Sequence, residues 1–229
     1  MSEIQRAIVT ILRYDRHLSN EEFNLLIPLV SEERRERISR FCNIYDAQNS
    51  LIGDILVREA LSEMTGLSHV HFICRTNEYG KPFLTNYSDI HYNTSHTRGI
   101  VACAFDALPV GIDIELIKPI DINIAKHFFS EDEIDYIFSA SNGDELTRFY
   151  QVWTMKESLI KWEGVGLSKD LKSFSVLAVQ PDDFPPYYHL AQENSESLCY
   201  VCTSKNKKPI ITHLELADLL ESVSHLLSR

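Results

Sequence analysis

The sequence has no long apolar run. Its purely hydrophobic stretches do not exceed six residues, as in Ile100 to Phe105. A membrane-spanning helix needs about 20 residues, so no such segment is expected. The N-terminus, with Glu3 and Arg6 and no small-residue cleavage site behind an apolar stretch, lacks the layout of a secretory signal. Paired cysteines are lacking too: the five present (Cys42, Cys74, Cys103, Cys199, Cys202) are odd in number and scattered. That pattern suits reduced thiols better than a disulfide framework, and a cytoplasmic protein is expected. Positive charge is in short supply, with 22 Lys and Arg against 33 Asp and Glu and a net charge of −11. An acidic surface gives no general electrostatic support for binding nucleic acid or anionic membranes, and neither partner is expected. A phosphate-bearing ligand must therefore be held by a local cluster of basic residues.

What is present is ordinary globular composition, 44% hydrophobic and 24% charged over 229 residues, enough for one large domain or two smaller ones. Residues 4–12 are predicted as a strand. Ser19-x-x-Glu22 is a capping box that opens a helix ended by Pro28. Ser31 through Thr65 reads as two successive helices closed by Gly66. Residues 70–75, 90–95, 100–105 and 110–117 read as extended. Ser130-x-x-Glu133 caps another helix, and Glu145 to Trp162 continues as a long one that stops at Gly164. The tail offers strands at 173–179, 187–190 and 198–203 and a helix from Leu214 to Leu227. The two halves rhyme: each long helix is entered through Arg-Phe (Arg40-Phe41, Arg148-Phe149) and followed by Gly-Leu (Gly66-Leu67, Gly166-Leu167). The expected fold is α+β, two similar subdomains (1–108 and 109–229) related by pseudo-twofold symmetry, with the site in the cleft between them.

Gly111-Ile112-Asp113-Ile114-Glu115 puts two carboxylates on one face of a predicted strand, with Ile112 and Ile114 on the other. Residues two apart on a strand are about 7 Å apart, near enough to share one hard cation. An oxygen-only donor set suits magnesium or manganese better than zinc. By itself the pattern also fits a solvated strand face. In the helix around Trp153, Phe149, Val152, Trp153, Leu159 and Ile160 form an apolar arc with Lys156 in its middle. An ammonium there calls for an anion. Glu157 and Lys161 lie at i,i+4 on the arc's edge.

These two segments together resemble the paired signature of Sfp-type 4′-phosphopantetheinyl transferases. Tyr79-Gly80-Lys81-Pro82 and Asn93-Thr94-Ser95-His96 extend the resemblance, which runs from about Ser31 to Leu167. It implies an enzyme that moves phosphopantetheine from coenzyme A to a serine of an apo acyl or peptidyl carrier protein, releasing 3′,5′-ADP. Such enzymes serve fatty acid, polyketide or nonribosomal peptide biosynthesis. Asp113, Glu115 and Glu157 would hold Mg2+ (or Mn2+) at the pyrophosphate, and Glu157 would take the serine proton. Lys161 would meet the pyrophosphate with Lys156 nearby. Lys81, Ser95 and His96 would line the nucleotide pocket. Arg34 and Arg37 would meet the 3′-phosphate with His96; the family often has lysine at both, and arginine keeps the charge and adds bidentate geometry. A monomer is implied, since two halves in one chain can enclose a site. The residues between Lys118 and Ser130 are candidates for carrier docking.

Two other functions use the same residues: a magnesium-dependent hydrolase of nucleotide pyrophosphates acting on coenzyme A, and a noncatalytic binding module. The second has no need of all four of Asp113, Glu115, Glu157 and Lys161. Arg34 and Arg37 also fit a solvated helix face, and His96 a satisfied core histidine. Cys199 and Cys202 would point to opposite strand faces, and no function is assigned to them.

Overall fold

A computed structural model describes residues 4–141, 143–177 and 185–227. In chain order the elements are β1 (Ile8–Arg13), α1 (Asn20–Leu26), α2 (Glu32–Ser39), α3 (Ile44–Thr65), β2 (Cys74–Thr76), β3 (Pro82–Leu84), β4 (His91–Thr97), β5 (Ile100–Asp106) and β6 (Val110–Leu116). There follow α4 (Ala125–Phe128), α5 (Glu131–Phe138), α6 (Glu145–Glu163), β7 (Tyr187–Glu193), β8 (Ser197–Thr203), β9 (Ile210–Glu215) and α7 (Leu216–Leu227). Both predicted capping boxes form: Ser19 with Glu22, and Ser130 with Glu133. Gly164 ends α6 in a left-handed conformation, φ 75°, which a residue without Cβ adopts at little cost.

Two sheets carry the fold. The first has strand order β4-β5-β1-β9, and the second β6-β8-β7. Valines, isoleucines and alanines from β1, β5, β6 and β8 (Val9, Ile11, Ala102, Ile112, Ile114, Val201) make a core between the sheets. Helix α3 covers the outer face of the first sheet through Leu51, Ile52 and Ile55, and α6 covers the second through Phe149 and Val152. This mixed arrangement is the α+β architecture expected.

The sheets meet along β4 and β6, and there side chains do the bridging. Asn93 Oδ1 accepts from the Ile112 amide at 3.1 Å and Ser95 Oγ from the Ile114 amide at 3.3 Å. Gly111 sets how close α6 comes to this seam. A Cβ there would lie 2.1 Å from the Ser158 carbonyl oxygen and 2.3 Å from the Trp162 nitrogen, so only glycine lets strand and helix touch backbone to backbone.

Two expectations for the tail need correction. The helix begins at Leu216 and not at Leu214, because 210–215 is β9, which pairs in parallel with β1 at the other end of the chain. Leu216, Leu219 and Val223 of α7 then join the core beneath α3, so the last segment of the second half returns to the first sheet. The expected strand at 173–179 is a turn at Leu171–Ser173 followed by irregular chain. Its backbone is engaged by side chains: the Phe174 carbonyl accepts from Lys156 and the Val176 amide donates to Glu133. Residues 178–179 of that expectation lie outside the described residues, as does Asn142.

Candidate active site

Alternation along β6 turns Asp113 and Glu115 to the same side, towards α6, where helical spacing presents Trp153, Glu157 and Lys161 on one face. Together with Thr94, Ser95 and His96 of β4 they line one open cavity of about 380 Å³. The Asp113 side chain is 5% exposed and that of Lys161 27%. Lys161 Nζ lies 2.6 Å from Asp113 Oδ1 and 2.9 Å from Ser95 Oγ. The Ser95 hydroxyl donates to the same Asp113 oxygen at 2.9 Å. Asp113 Oδ2 is buried with no hydrogen-bond partner among the described residues, which costs free energy unless something else reaches it.

The carboxylates stand under strain of charge. Burial first, and the Asp113 charge second, push Glu115 up to about 7. The same two causes in the same order raise Glu157. A site that disfavours its own anions in this way is short of positive charge. The donor set, oxygen only with one orphaned buried oxygen, fits a hard divalent cation. Among the described residues no three His, Cys, Asp or Glu side chains converge closely enough to cage an ion alone.

A groove continues from the acidic cavity. His96 and Thr94 also line an adjoining cavity of about 160 Å³ with Arg34, Arg37, Phe41 and Gly53. Arg34, Arg37 and Tyr92 line the next one, of about 250 Å³, with Arg40 and Arg75. One end of the groove thus gathers four arginines, with Glu33, Glu36 and Asp54 among them, and the other gathers three carboxylates around Lys161. Arg34 is tied to Asp54 at 3.2 Å, and Asp54 also holds Arg58 at 2.6 Å.

Asp113, Glu115, Glu157, Lys161, Ser95 and His96 are therefore brought to one cavity, and Arg34, Arg37 and His96 to the neighbouring one. Two residues expected at the site are not. Lys156 points to the far face of α6, with its side chain 1% exposed. There it pairs with Glu133 at 2.8 Å and donates to the Leu171 and Phe174 carbonyls at 2.7 and 2.6 Å. The anion that its apolar surroundings demanded is Glu133 of α5. Lys81 is likewise engaged, donating to the Trp162 carbonyl at 2.8 Å and the Val110 carbonyl at 3.2 Å. It ties the turn at Tyr79–Gly80 to β6 and the end of α6.

Sequence reasoning missed Arg40 and Arg75 at the basic end. Arg40 lies one helical turn beyond Arg37, a visible signal; Arg75 comes from β2, far along the chain, and only the fold brings it there. Thr94 and Trp153 lay inside the quoted motifs without being assigned to the site.

Residues 109–213 match the family profile described as 4′-phosphopantetheinyl transferase superfamily, and residues 17–107 the profile described as 4′-phosphopantetheinyl transferase, N-terminal. The chain is 42% identical over 189 residues to the 4′-phosphopantetheinyl transferase Sfp of Bacillus subtilis (strain 168), covering 82% of this chain and 83% of that one. It is 41% identical over 160 residues to the 4′-phosphopantetheinyl transferase gsp of Aneurinibacillus migulanus, covering 70% and 65%. Against the human L-aminoadipate-semialdehyde dehydrogenase-phosphopantetheinyl transferase it is 30% identical over 168 residues, covering 67% and 54%.

Proposed function

The chain belongs to the 4′-phosphopantetheinyl transferase superfamily, and from that premise we propose that the groove between β4, β6 and α6 binds coenzyme A and carries out the transfer to an apo acyl or peptidyl carrier protein. The observation that carries this reading is the shared cavity of Asp113, Glu115, Glu157 and Lys161, with an Asp113 oxygen that has no partner among the described residues, at the end of a groove whose other end gathers four arginines. A nucleotide with a separate 3′-phosphate suits such a groove, with the phosphate near Arg34, Arg37 and Arg75 and the pyrophosphate near Lys161 and Ser95.

The carrier serine Oγ attacks the phosphorus that bears the pantetheine arm. A new P–O bond forms to the serine, and the P–O bond to 3′,5′-ADP breaks. Glu157, raised by burial and by Asp113, is the group proposed to take the serine proton, directly or through a water. Lys161 is proposed to balance charge on the departing ADP oxygen.

Asp113, Glu115 and Glu157 are the proposed holders of Mg2+, with Mn2+ a substitute. Bound there, the ion would offset charge on the pyrophosphate. Magnesium typically takes one or two carboxylates and completes its shell with substrate phosphates and water. An all-protein cage is therefore not required of these residues.

Carrier docking is assigned to the segment between Lys118 and Ser130, which follows β6 past Glu115. It presents Ile120, Ile124 and Phe128 to solvent, with Lys126 among them. No helix among the described residues is long and apolar enough to cross a membrane. A cytoplasmic monomer of two subdomains, which the chain passes between at Leu108–Pro109 and again where β9 and α7 return to the first sheet, completes the reading.

The test is incubation with coenzyme A, Mg2+ and a panel of apo carriers, read by intact-protein mass. A gain of one phosphopantetheinyl group on a carrier is expected, lost on chelation and restored by Mg2+. Folded enzyme that modifies no carrier, or that releases ADP from coenzyme A without one, would overturn the proposal.

A further inference from the structure

Behind His96 runs a buried polar chain that the transfer chemistry leaves unused. Tyr14, just past β1, is 7% exposed and Asn49 of α3 is 3% exposed. The Tyr14 hydroxyl lies 2.5 Å from Asn49 Oδ1. Asn49 Nδ2 lies 3.4 Å from His96 Nδ1 and 3.4 Å from the Thr97 carbonyl oxygen. Burial raises the Tyr14 phenol to about 12, so it remains a donor, and the Asn49 oxygen accepts from it. The amide nitrogen then faces two atoms, one of which, the Thr97 carbonyl, can only accept. Turning the amide over would set its oxygen against that carbonyl, so the contacts assign its orientation. An NH2 group can only donate. The His96 Nδ1 that it faces must therefore carry a lone pair, which leaves the proton of the neutral ring on Nε2.

We propose that Asn49, itself held by Tyr14, is a positioning residue that fixes His96 in the neutral tautomer protonated at Nε2, so that His96 serves coenzyme A as a hydrogen-bond donor and not as a cation. The use made of the tautomer rests on the reading of the groove as a coenzyme A site; the tautomer itself does not. A proton on Nδ1 would point an N–H at the Asn49 NH2 group, two donors with no acceptor between them. The other charges facing the ring are Asp46, Asp113 and Lys161. Burial first and Lys161 second lower His96 from its ordinary range, against the opposing pull of Asp46, of a hydrogen bond to the residue's own backbone, and of Asp113. The division of labour follows: Arg34 and Arg37 supply charge at the basic end, and His96 supplies a directed N–H at the junction of the two cavities it lines.

The experiment is a long-range 1H–15N spectrum of the full chain labelled at its nine histidines, without coenzyme A. The His96 signals are assigned by their loss in His96→Ala. A single tautomer with Nδ1 unprotonated and the proton on Nε2 is expected. Asn49→Asp offers Nδ1 an acceptor and should move the proton there, inverting the signature. Tyr14→Phe frees the amide to turn and should give mixed tautomers, with KM for coenzyme A raised severalfold and kcat little changed. A wild-type ring that is mixed or protonated at Nδ1, or an Asn49→Asp spectrum identical to wild type, overturns the clamp. If either variant fails to fold, the wild-type spectrum alone decides. Unchanged coenzyme A affinity in His96→Ala, with the expected tautomer present, overturns the coenzyme A contact while leaving the clamp intact.

Discussion

Two lysines one and a half turns apart on α6 have opposite fates. Lys156 is buried against Glu133 and two carbonyls, every one of its hydrogen-bonding capacities spent inside the fold. Lys161 is 27% exposed and faces carboxylates that are themselves undersupplied with positive charge. The first lysine closes a network; the second leaves one open, with Asp113 Oδ2 lacking a partner among the described residues. The difference teaches how one helix can serve two ends. Its outer face is anchored by a satisfied ion pair, and its inner face carries one that leaves part of its cluster uncompensated.

The largest expected effect breaks the open side. Glu157→Gln should lower kcat by about 10²- to 10⁴-fold, the usual contribution of a positioned base. The melting temperature of the ligand-free variant should stay the same or rise, because burial and Asp113 disfavour the Glu157 anion. Carrier mass gain over time and a thermal melt read both. A variant that transfers at the wild-type rate would remove Glu157 from the chemistry. On the closed side, Lys156→Met leaves Glu133 buried and unpaired and should cost about 3–5 kcal/mol in denaturant unfolding. Adding Glu133→Leu removes the buried unpaired charge and should recover part of it, the rest being lost with the acceptor of the Val176 and Ser130 amides, and activity per folded molecule should be nearly unchanged. Equal losses of stability in the single and double variants would refute the pairing.

Lys156 also marks where the sequence could be read and where it could not. Helical periodicity revealed an ammonium in an apolar arc and hence the need for an anion. It could not reveal which anion, since Glu133 lies on another helix and reaches Lys156 only after α5 packs on α6. The carboxylates of β6 were legible because strand alternation alone puts Asp113 and Glu115 together, and Glu157 and Lys161 because helical spacing does the same. Both capping boxes were legible for the same local reason. Strand β9 was not, because its partner is β1 at the opposite end of the chain and its own residues, with Ile210 exposed, give little alternation. Arg75 reaches the groove, and Asn49 reaches His96, by tertiary packing, which leaves no trace at short spacing.

A smaller effect sharpens the contact between the two faces of the site. Gly111→Ala would drive a methyl into the Ser158 and Trp162 backbone, atoms that cannot turn aside. The strand and helix must separate, at about 1–3 kcal/mol by analogy with overpacked cores. Because β6 carries Asp113 and Glu115 while α6 carries Glu157 and Lys161, kcat should fall along with stability. Loss of stability with full kcat would show that the spacing of β6 and α6 is not what aligns the site.

The smallest effect concerns a third lysine. Lys81 resembles Lys156 in donating to backbone carbonyls, but it has no carboxylate partner among the described residues, and burial lowers it to about 8 from an ordinary 10.5. Between those two values the unfolded chain binds more protons at this position than the folded one, so Lys81 makes stability rise with pH across that window and contributes no slope below it. Buried tyrosines and cysteines, raised by burial, oppose this trend by losing protons earlier when unfolded. The effect is therefore to be read as a difference between wild type and Lys81→Met in denaturant midpoints from pH 7.5 to 10. Wild type should gain relative to the variant as pH rises through about 8, since Met neither titrates nor donates to Val110 and Trp162. A difference that is flat or falls with pH would mean that Lys81 stays charged in the fold, and would place it with Lys156 as a member of a closed ionic network.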